Sequence, residues 1–159
     1  MKKIFVTGCN GQLGRAINRQ YALSTEYELI NTDVGELDIT KVEEVLSFVR
    51  EVKPWAIINC AAYTNVDKCE TEPDLAYRIN AVGARNLAIA AADVHARLMH
   101  VSTDYVFPGD ICERPLTEFD TPAPKSMYGA TKLAGEQFVR DFAERYFIIR
   151  TAWLYGDGH

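Results

Sequence analysis

The amino-acid sequence predicts an α/β fold, a Rossmann-like doubly wound parallel sheet. Three observations carry that expectation. Short apolar runs alternate with helical patterns along the whole chain. The first run, residues 3–6, leads through Gly8-x-x-Gly11-x-x-Gly14 straight into a helix pattern. The run Trp55-Ala56-Ile57-Ile58-Asn59 has no polar face, as a central parallel strand requires.

The elements follow in order. After the first strand, a helix pattern runs from Gln12 to about Tyr21, with Leu13, Ile17 and Tyr21 four apart. A turn of this kind is needed for its backbone. Without Cβ atoms, a pyrophosphate can approach the amides at a helix N-terminus, where the dipole favours an anion. A purely structural turn is the alternative. A second strand, Tyr27 to Thr32, ends at Asp33, about 20 residues past the glycines, where a ribose-binding carboxylate falls. Asp33 favours the 2′-hydroxyl of NADH, whereas Arg15, following Gly14, suits the 2′-phosphate of NADPH. A strand-end turn residue is the other reading of Asp33.

Residues 36–40 read as a short third strand, centred on Leu37, Asp38 and Ile39. Thr40 and Glu43 form a capping-box pattern for a helix through Val42, Val45, Leu46 and Val49. The fourth strand, residues 55–59, runs into Cys60-Ala61-Ala62-Tyr63-Thr64, whose small residues leave room for a flat ring or simply pack closely. Glu72-Pro73 opens a helical pattern to about Val94, with Asn80 inside it. A buried asparagine there needs a partner. Residues 97–101 form the fifth strand and end in Ser102-Thr103-Asp104-Tyr105. Hydroxyls at that end face the crevice where doubly wound sheets bind ligands. Residues 107–124 hold four of the six prolines and read as a loop at the rim of a site. A helix follows from Ser126, then a sixth strand over residues 146–150. The expected sheet order is 3-2-1-4-5-6, with ligand over strands 1 and 4.

Tyr128 and Lys132 stand four apart on the last helix and so share a face. A nearby ammonium favours phenolate and lowers a tyrosine pKa, which suits a general acid acting on an alkoxide. A surface aromatic beside a solvated lysine is the bland alternative.

Composition limits the partners. The net charge is −5 and no Lys/Arg run occurs, which argues against nucleic acid or an anionic membrane. No apolar run reaches membrane-spanning length. The run after Lys2-Lys3 stops at Gly8, too short for a signal peptide, so a cytoplasmic protein is expected. Cys9, Cys60, Cys69 and Cys112 have no Cys-x-x-Cys spacing, which points to reduced thiols and no metal site.

Taken together, Thr7-Gly8-x-x-Gly11-x-x-Gly14, Asn59-Cys60-Ala61-Ala62-Tyr63-Thr64-x-Val66-Asp67, Val101-Ser102-Thr103-Asp104-Tyr105-Val106-Phe107 and Tyr128-x-x-x-Lys132-x-x-Gly135-Glu136 resemble the extended short-chain dehydrogenase/reductases. The stretch Arg150-Thr151-Ala152-Trp153-Leu154-Tyr155-Gly156 fits the branch acting on dTDP-linked 4-keto-6-deoxy sugars. The resemblance implies NADPH- or NADH-dependent reduction of the C4 ketone, giving dTDP-L-rhamnose. It implies a catalytic set of Thr103, Tyr128 and Lys132. It implies cofactor contacts at Gly8, Asn10, Gly11, Gln12, Leu13, Gly14, Asp33, Asp38, Ile39, Ala61, Ala62, Tyr63 and Thr64, with Tyr128 and Lys132 shared. It implies substrate contacts at Thr103, Asp104 and Trp153, no metal, and an optional homodimer.

Members of that family run well past the position of His159 and add a C-terminal substrate lobe. The expectation is therefore that residues 1–159 are the NAD(P)-binding domain of a longer two-lobed reductase, weak in turnover alone, with an open edge at the strand around Ile148. Two other readings stay open. One is a non-catalytic dinucleotide-binding subunit like that of methionine adenosyltransferase. The other is a sugar-nucleotide epimerase or dehydratase, although Tyr105 stands where a dehydratase places an extra acid.

Overall fold

The computed structural model describes residues 1–110 and 114–156, so Cys112 and His159 lie outside the described residues. Five parallel strands form one sheet in the order β2-β1-β3-β4-β5. They are β1 (Lys2–Thr7), β2 (Tyr27–Thr32), β3 (Ala56–Asn59), β4 (Arg97–Thr103) and β5 (Tyr146–Thr151). The helices are α1 (Gln12–Tyr21), α2 (Val42–Val52), α3 (Val66–Thr71), α4 (Pro73–Tyr77), α5 (Ala84–Asp93) and α6 (Met127–Phe142). Among the described residues, no helix is long and apolar enough to cross a membrane.

The core lies between the central strands and three helices. Phe5, Ile57 and Leu98 meet Val45 and Val49 of α2, Leu87 and Ala91 of α5, and Val139 of α6, all fully buried. Truncating a side chain such as Leu98 to alanine there costs about 2–5 kcal/mol. At the outer edge, among the described residues, β5 pairs only with β4, and Phe147 and Ile149 are exposed.

Two sequence expectations are corrected. Residues 37–39 are not a strand, and the rest of the expected order survives without that element. The cause is Asp38, whose carboxylate accepts from the Thr40 amide (2.9 Å) and hydroxyl (2.8 Å) and turns the chain away from a ladder. Leu37 and Ile39 are still buried, but as plugs in the core rather than strand residues. The same bonds remove the expected capping box. With its hydroxyl committed to Asp38, Thr40 does not cap α2, whose N-cap is Lys41 without a side-chain bond.

The helix expected from Pro73 to about Val94 is present but changes pitch. Between α4 and α5, residues Arg78–Gly83 take a π-helical turn. Asn80 sits in it, and such an insertion commonly marks a functional site.

Candidate active site

The glycine turn holds two positions with no room for a Cβ, Gly8 and Gly14, and a looser one, Gly11. Gly8 has φ +64°, and a Cβ there would lie 2.7 Å from the Ala61 amide. A Cβ on Gly14 would run into the Gly8 carbonyl and the Cys9 backbone. Gly11 is looser, its nearest neighbour being the Gly8 carbonyl at 3.3 Å. Gly11 is also the N-cap of α1, with no side-chain cap and no acidic residue in the first turn. That helix end presents a positive dipole and no competing carboxylate.

Beside the turn lies a cleft of about 790 Å³, lined by Gly8, Gly11, Asp33, Asp38, Ile39, Ala61 and Ala62 among others. A cleft of this size suits a nucleotide. Asp33 accepts from the Asn10 amide (3.0 Å) and the Val34 amide (2.8 Å), so it is fixed at the lip of β2 with lone pairs to spare. Bonds from Thr40 hold the Asp38 carboxyl below the usual carboxylate range, against the opposing effect of its burial. Arg78, Ile79 and Val82 of the π turn form part of the facing wall.

Six expected cofactor residues, besides the shared Tyr128 and Lys132, are not part of this cleft lining. Asn10 meets it only through its amide to Asp33, and Gln12, Leu13 and Gly14 belong to α1. Tyr63 is set back, its hydroxyl bonded to Glu72, which pushes the phenol up to about 12. Thr64 is exposed and also outside the lining.

The residues expected to be catalytic lie at the adjoining strand end. Ser126 caps α6 by accepting from the Gly129 amide (3.1 Å), and Glu70 of α3 accepts from the Met127 amide (2.7 Å). The close approach at Gly129, where a Cβ would meet the Tyr105 carbonyl, brings the start of α6 against residues 103–105. Tyr128 is hydrogen-bonded to Thr103, and its ring meets Tyr105 edge-on at 5.5 Å. One turn on, Lys132 donates to the Val101 carbonyl at 2.7 Å. Thr103 also donates to Asp104 at 3.1 Å. Thr103, Tyr128 and Lys132 are therefore brought together. Trp153 is not: it is 92% exposed beyond β5.

The electrostatics differ from the sequence expectation in one respect. Burial raises the Tyr128 pKa, partly opposed by the Thr103 hydrogen bond. The Lys132 ammonium is turned to a backbone carbonyl, and the expected lowering of the phenol by lysine is not found. Burial instead acts on Lys132 itself, bringing it down to about 8 against the pull of Glu136 and Cys60. Cys60 lines the cleft and feels Lys132, which ties Lys132 to the cleft. Its thiol is pushed by burial up to about 12, so it is no thiolate nucleophile.

Sequence reasoning assigned no role to three groups that organise this site. Asn80 accepts from the Tyr63 amide (2.8 Å) and donates to the Tyr63 carbonyl and Thr131 hydroxyl (both 3.1 Å). It thus clamps the segment after β3 to α6. A polar residue in an apolar helix pattern was its only signal. Asn59 ties Thr7 (2.8 Å), the Ala61 amide (3.1 Å) and His100 Nδ1 (3.0 Å) across three strands. Glu136, fully buried, gathers Ser102, Arg140 and Arg150.

The family model described as RmlD substrate binding domain matches residues 1–159. A dTDP-4-dehydrorhamnose reductase from Mycolicibacterium smegmatis is 44% identical over 159 residues, covering 99% of this chain and 48% of that protein. The crystal structure of a dTDP-4-dehydrorhamnose reductase from Clostridium acetobutylicum superimposes with a TM-score of 0.95 at 55% identity, covering 99% of this chain and 55% of that one. Another from Bacillus anthracis, in complex with NADP, gives 0.94 at 49% identity, covering 100% of this chain and 56% of that one. The chain thus spans about half the length of these relatives.

Proposed function

The chain belongs to the RmlD substrate-binding-domain family, and from that premise we propose that it carries the dinucleotide site and proton donor of an NAD(P)H-dependent reductase. The reaction is reduction of the C4 ketone of dTDP-4-dehydro-6-deoxy-L-mannose to dTDP-L-rhamnose, in the cytoplasm. Residues 1–159 are its NAD(P)-binding domain. The observation that carries this reading is the juxtaposition of Tyr128, Thr103 and Lys132 with a cleft running from the bare Gly11 turn to Asp33.

The residues present fit a dinucleotide. A Cβ would fill the cradle at Gly8 and Gly14, and the uncapped end of α1 suits a pyrophosphate. Asp33 has the lone pairs to accept from ribose hydroxyls, and Ile39 with Ala62 offers a flat apolar slot for adenine. The bound group supplies the hydride.

This chain's residues do the rest. Burial keeps the Tyr128 phenol protonated, the state a donor needs, so its hydroxyl proton passes to the sugar oxygen as negative charge develops there. Thr103 holds that oxygen in line by a hydrogen bond. Lys132 supplies a positive charge beneath both and a donor to ribose hydroxyls. Asp104, bonded to Thr103, contacts the sugar nucleotide; Trp153, exposed beyond β5, is assigned to it by resemblance alone.

The test is titration of NADPH and NADH into the purified chain, followed by addition of the keto-sugar while absorbance of the reduced nicotinamide is read. Gly11→Val is expected to weaken dinucleotide binding by about tenfold or more with the fold retained. Tyr128→Phe is expected to leave that affinity nearly unchanged and to lower reduction by about 10²–10⁴-fold wherever turnover is measured. Undiminished binding by Gly11→Val, or undiminished turnover by Tyr128→Phe, contradicts the assignment.

A further inference from the structure

We propose that Glu136 is a positioning residue for the Tyr128–Lys132 pair, one whose buried carboxylate fixes α6 on β4 and supplies the counter-charge for the lysine. The inference rests on the function proposed above and adds a residue outside the cleft lining.

Three bonds join one helix face to one strand end. Tyr128 meets Thr103, Lys132 meets the Val101 carbonyl at 2.7 Å, and Glu136 Oε1 accepts from Ser102 Oγ at 2.7 Å. Residues 128, 132 and 136 are successive turns of α6, and residues 101–103 are consecutive on β4. The bond at Ser102 therefore locks the register in which the phenol reaches Thr103. Arg150 of β5 grips the same carboxylate in a fork, Nε to Oε1 at 2.9 Å and Nη2 to Oε2 at 2.7 Å. Arg140 adds a bond at 3.1 Å. Two parallel guanidinium bonds restrict a carboxylate in direction as well as place.

Charge is the second half of the role. Lys132 is buried, and an unpaired ammonium there would shed its proton. The groups acting on it are Glu136 on α6, Cys60 after β3, and His100 and the Val101 carbonyl on β4. Arg150 and Arg140 stand behind Glu136. Of these, Glu136 alone is an anion at neutral pH. Burial opposes its charge, but Arg150, Ser102 and Arg140 outweigh that and hold it below the usual carboxylate range.

The experiment is a pH titration of the Lys132 side chain by NMR in the whole chain labelled with ¹³C at lysine Cε. The signal is assigned by its loss in Lys132→Met. The native midpoint is expected at about 8. In Glu136→Gln the midpoint moves to lower pH by about one unit or more, because an anion is replaced while two cations stay. In Arg150→Gln it moves to higher pH, because a cation is lost and the anion stays. A merely structural part would disturb both variants in the same direction. Opposite shifts support the proposal; shifts of the same sign, or an unmoved midpoint, overturn it. Should Glu136→Gln fail to fold, Arg150→Gln decides by the sign of its shift, and Glu136→Asp is expected to stay near the native midpoint. NADPH binding is measured on the same samples. If no protein, native included, binds NADPH at any pH, the proposed function fails while the lysine midpoints still judge Glu136.

Discussion

Lys132 holds its charge where charge is costly. Its ammonium is buried, with one carbonyl and one carboxylate to compensate for lost water. The folded chain therefore binds this proton less tightly than the unfolded chain does, at about 8 against 10.5. The penalty is complete below pH 8 and fades as pH rises towards 10.5, so this group makes the fold more stable in alkali; its size is about 3 kcal/mol. Lys132→Met removes the charge and keeps the bulk. We expect it to be more stable than the native chain near pH 7, by about 1–3 kcal/mol, while losing dinucleotide affinity. The stability difference should shrink between pH 8 and 10.5 in paired denaturant titrations. A difference that is constant with pH would contradict a buried, titrating ammonium. The sequence placed this lysine opposite Tyr128 by spacing alone, which was enough for position and not for electrostatics. The direction of its ammonium depends on the Val101 carbonyl, 31 residues away, and no local pattern reports that.

At the scale of elements, the site is held by a change of helical pitch. The π turn at Arg78–Gly83 directs Asn80 at both Tyr63 and Thr131, joining the loop after β3 to α6. Gly135 lets the two helices meet, since a Cβ there would strike the Asn80 carbonyl. Asn80→Ala should strip buried partners from the Tyr63 backbone and cost about 1–3 kcal/mol in thermal or denaturant unfolding. It should also weaken dinucleotide binding by loosening Ala61 and Ala62. A variant as stable as the native chain would show that the clamp carries no load. Most elements were legible from periodicity, from the β1–turn–α1 signature to α6. The exceptions share a cause. At residues 37–40 the side chain of Asp38 competes with the backbone for hydrogen bonds, and at Asn80 tertiary partners pay for an irregular turn. Neither competition is visible to a hydrophobic pattern.

Across the molecule, parallel topology gathers the site from distant parts of the chain. The strand order β2-β1-β3-β4-β5 sets the Gly11 turn, Asp33, the segment after Asn59 and Thr103 along one edge, and α6 brings Tyr128 and Lys132 over it. The order was legible because βαβ crossovers of one hand leave few alternatives. Trp153, which rests on resemblance alone, is exposed and outside that assembly. In this reading a single dinucleotide spans the glycine turn, the Asp33 cleft and the foot of Lys132. The most direct measurement is an NMR titration of the chain with NADPH, following the amides of Gly11, Asp33 and Ala62 together with Lys132 Cε. All four signals should shift and saturate with one dissociation constant. Signals at Gly11 and Asp33 that saturate while Lys132 stays unmoved, or no saturable shift at any of them, would contradict it.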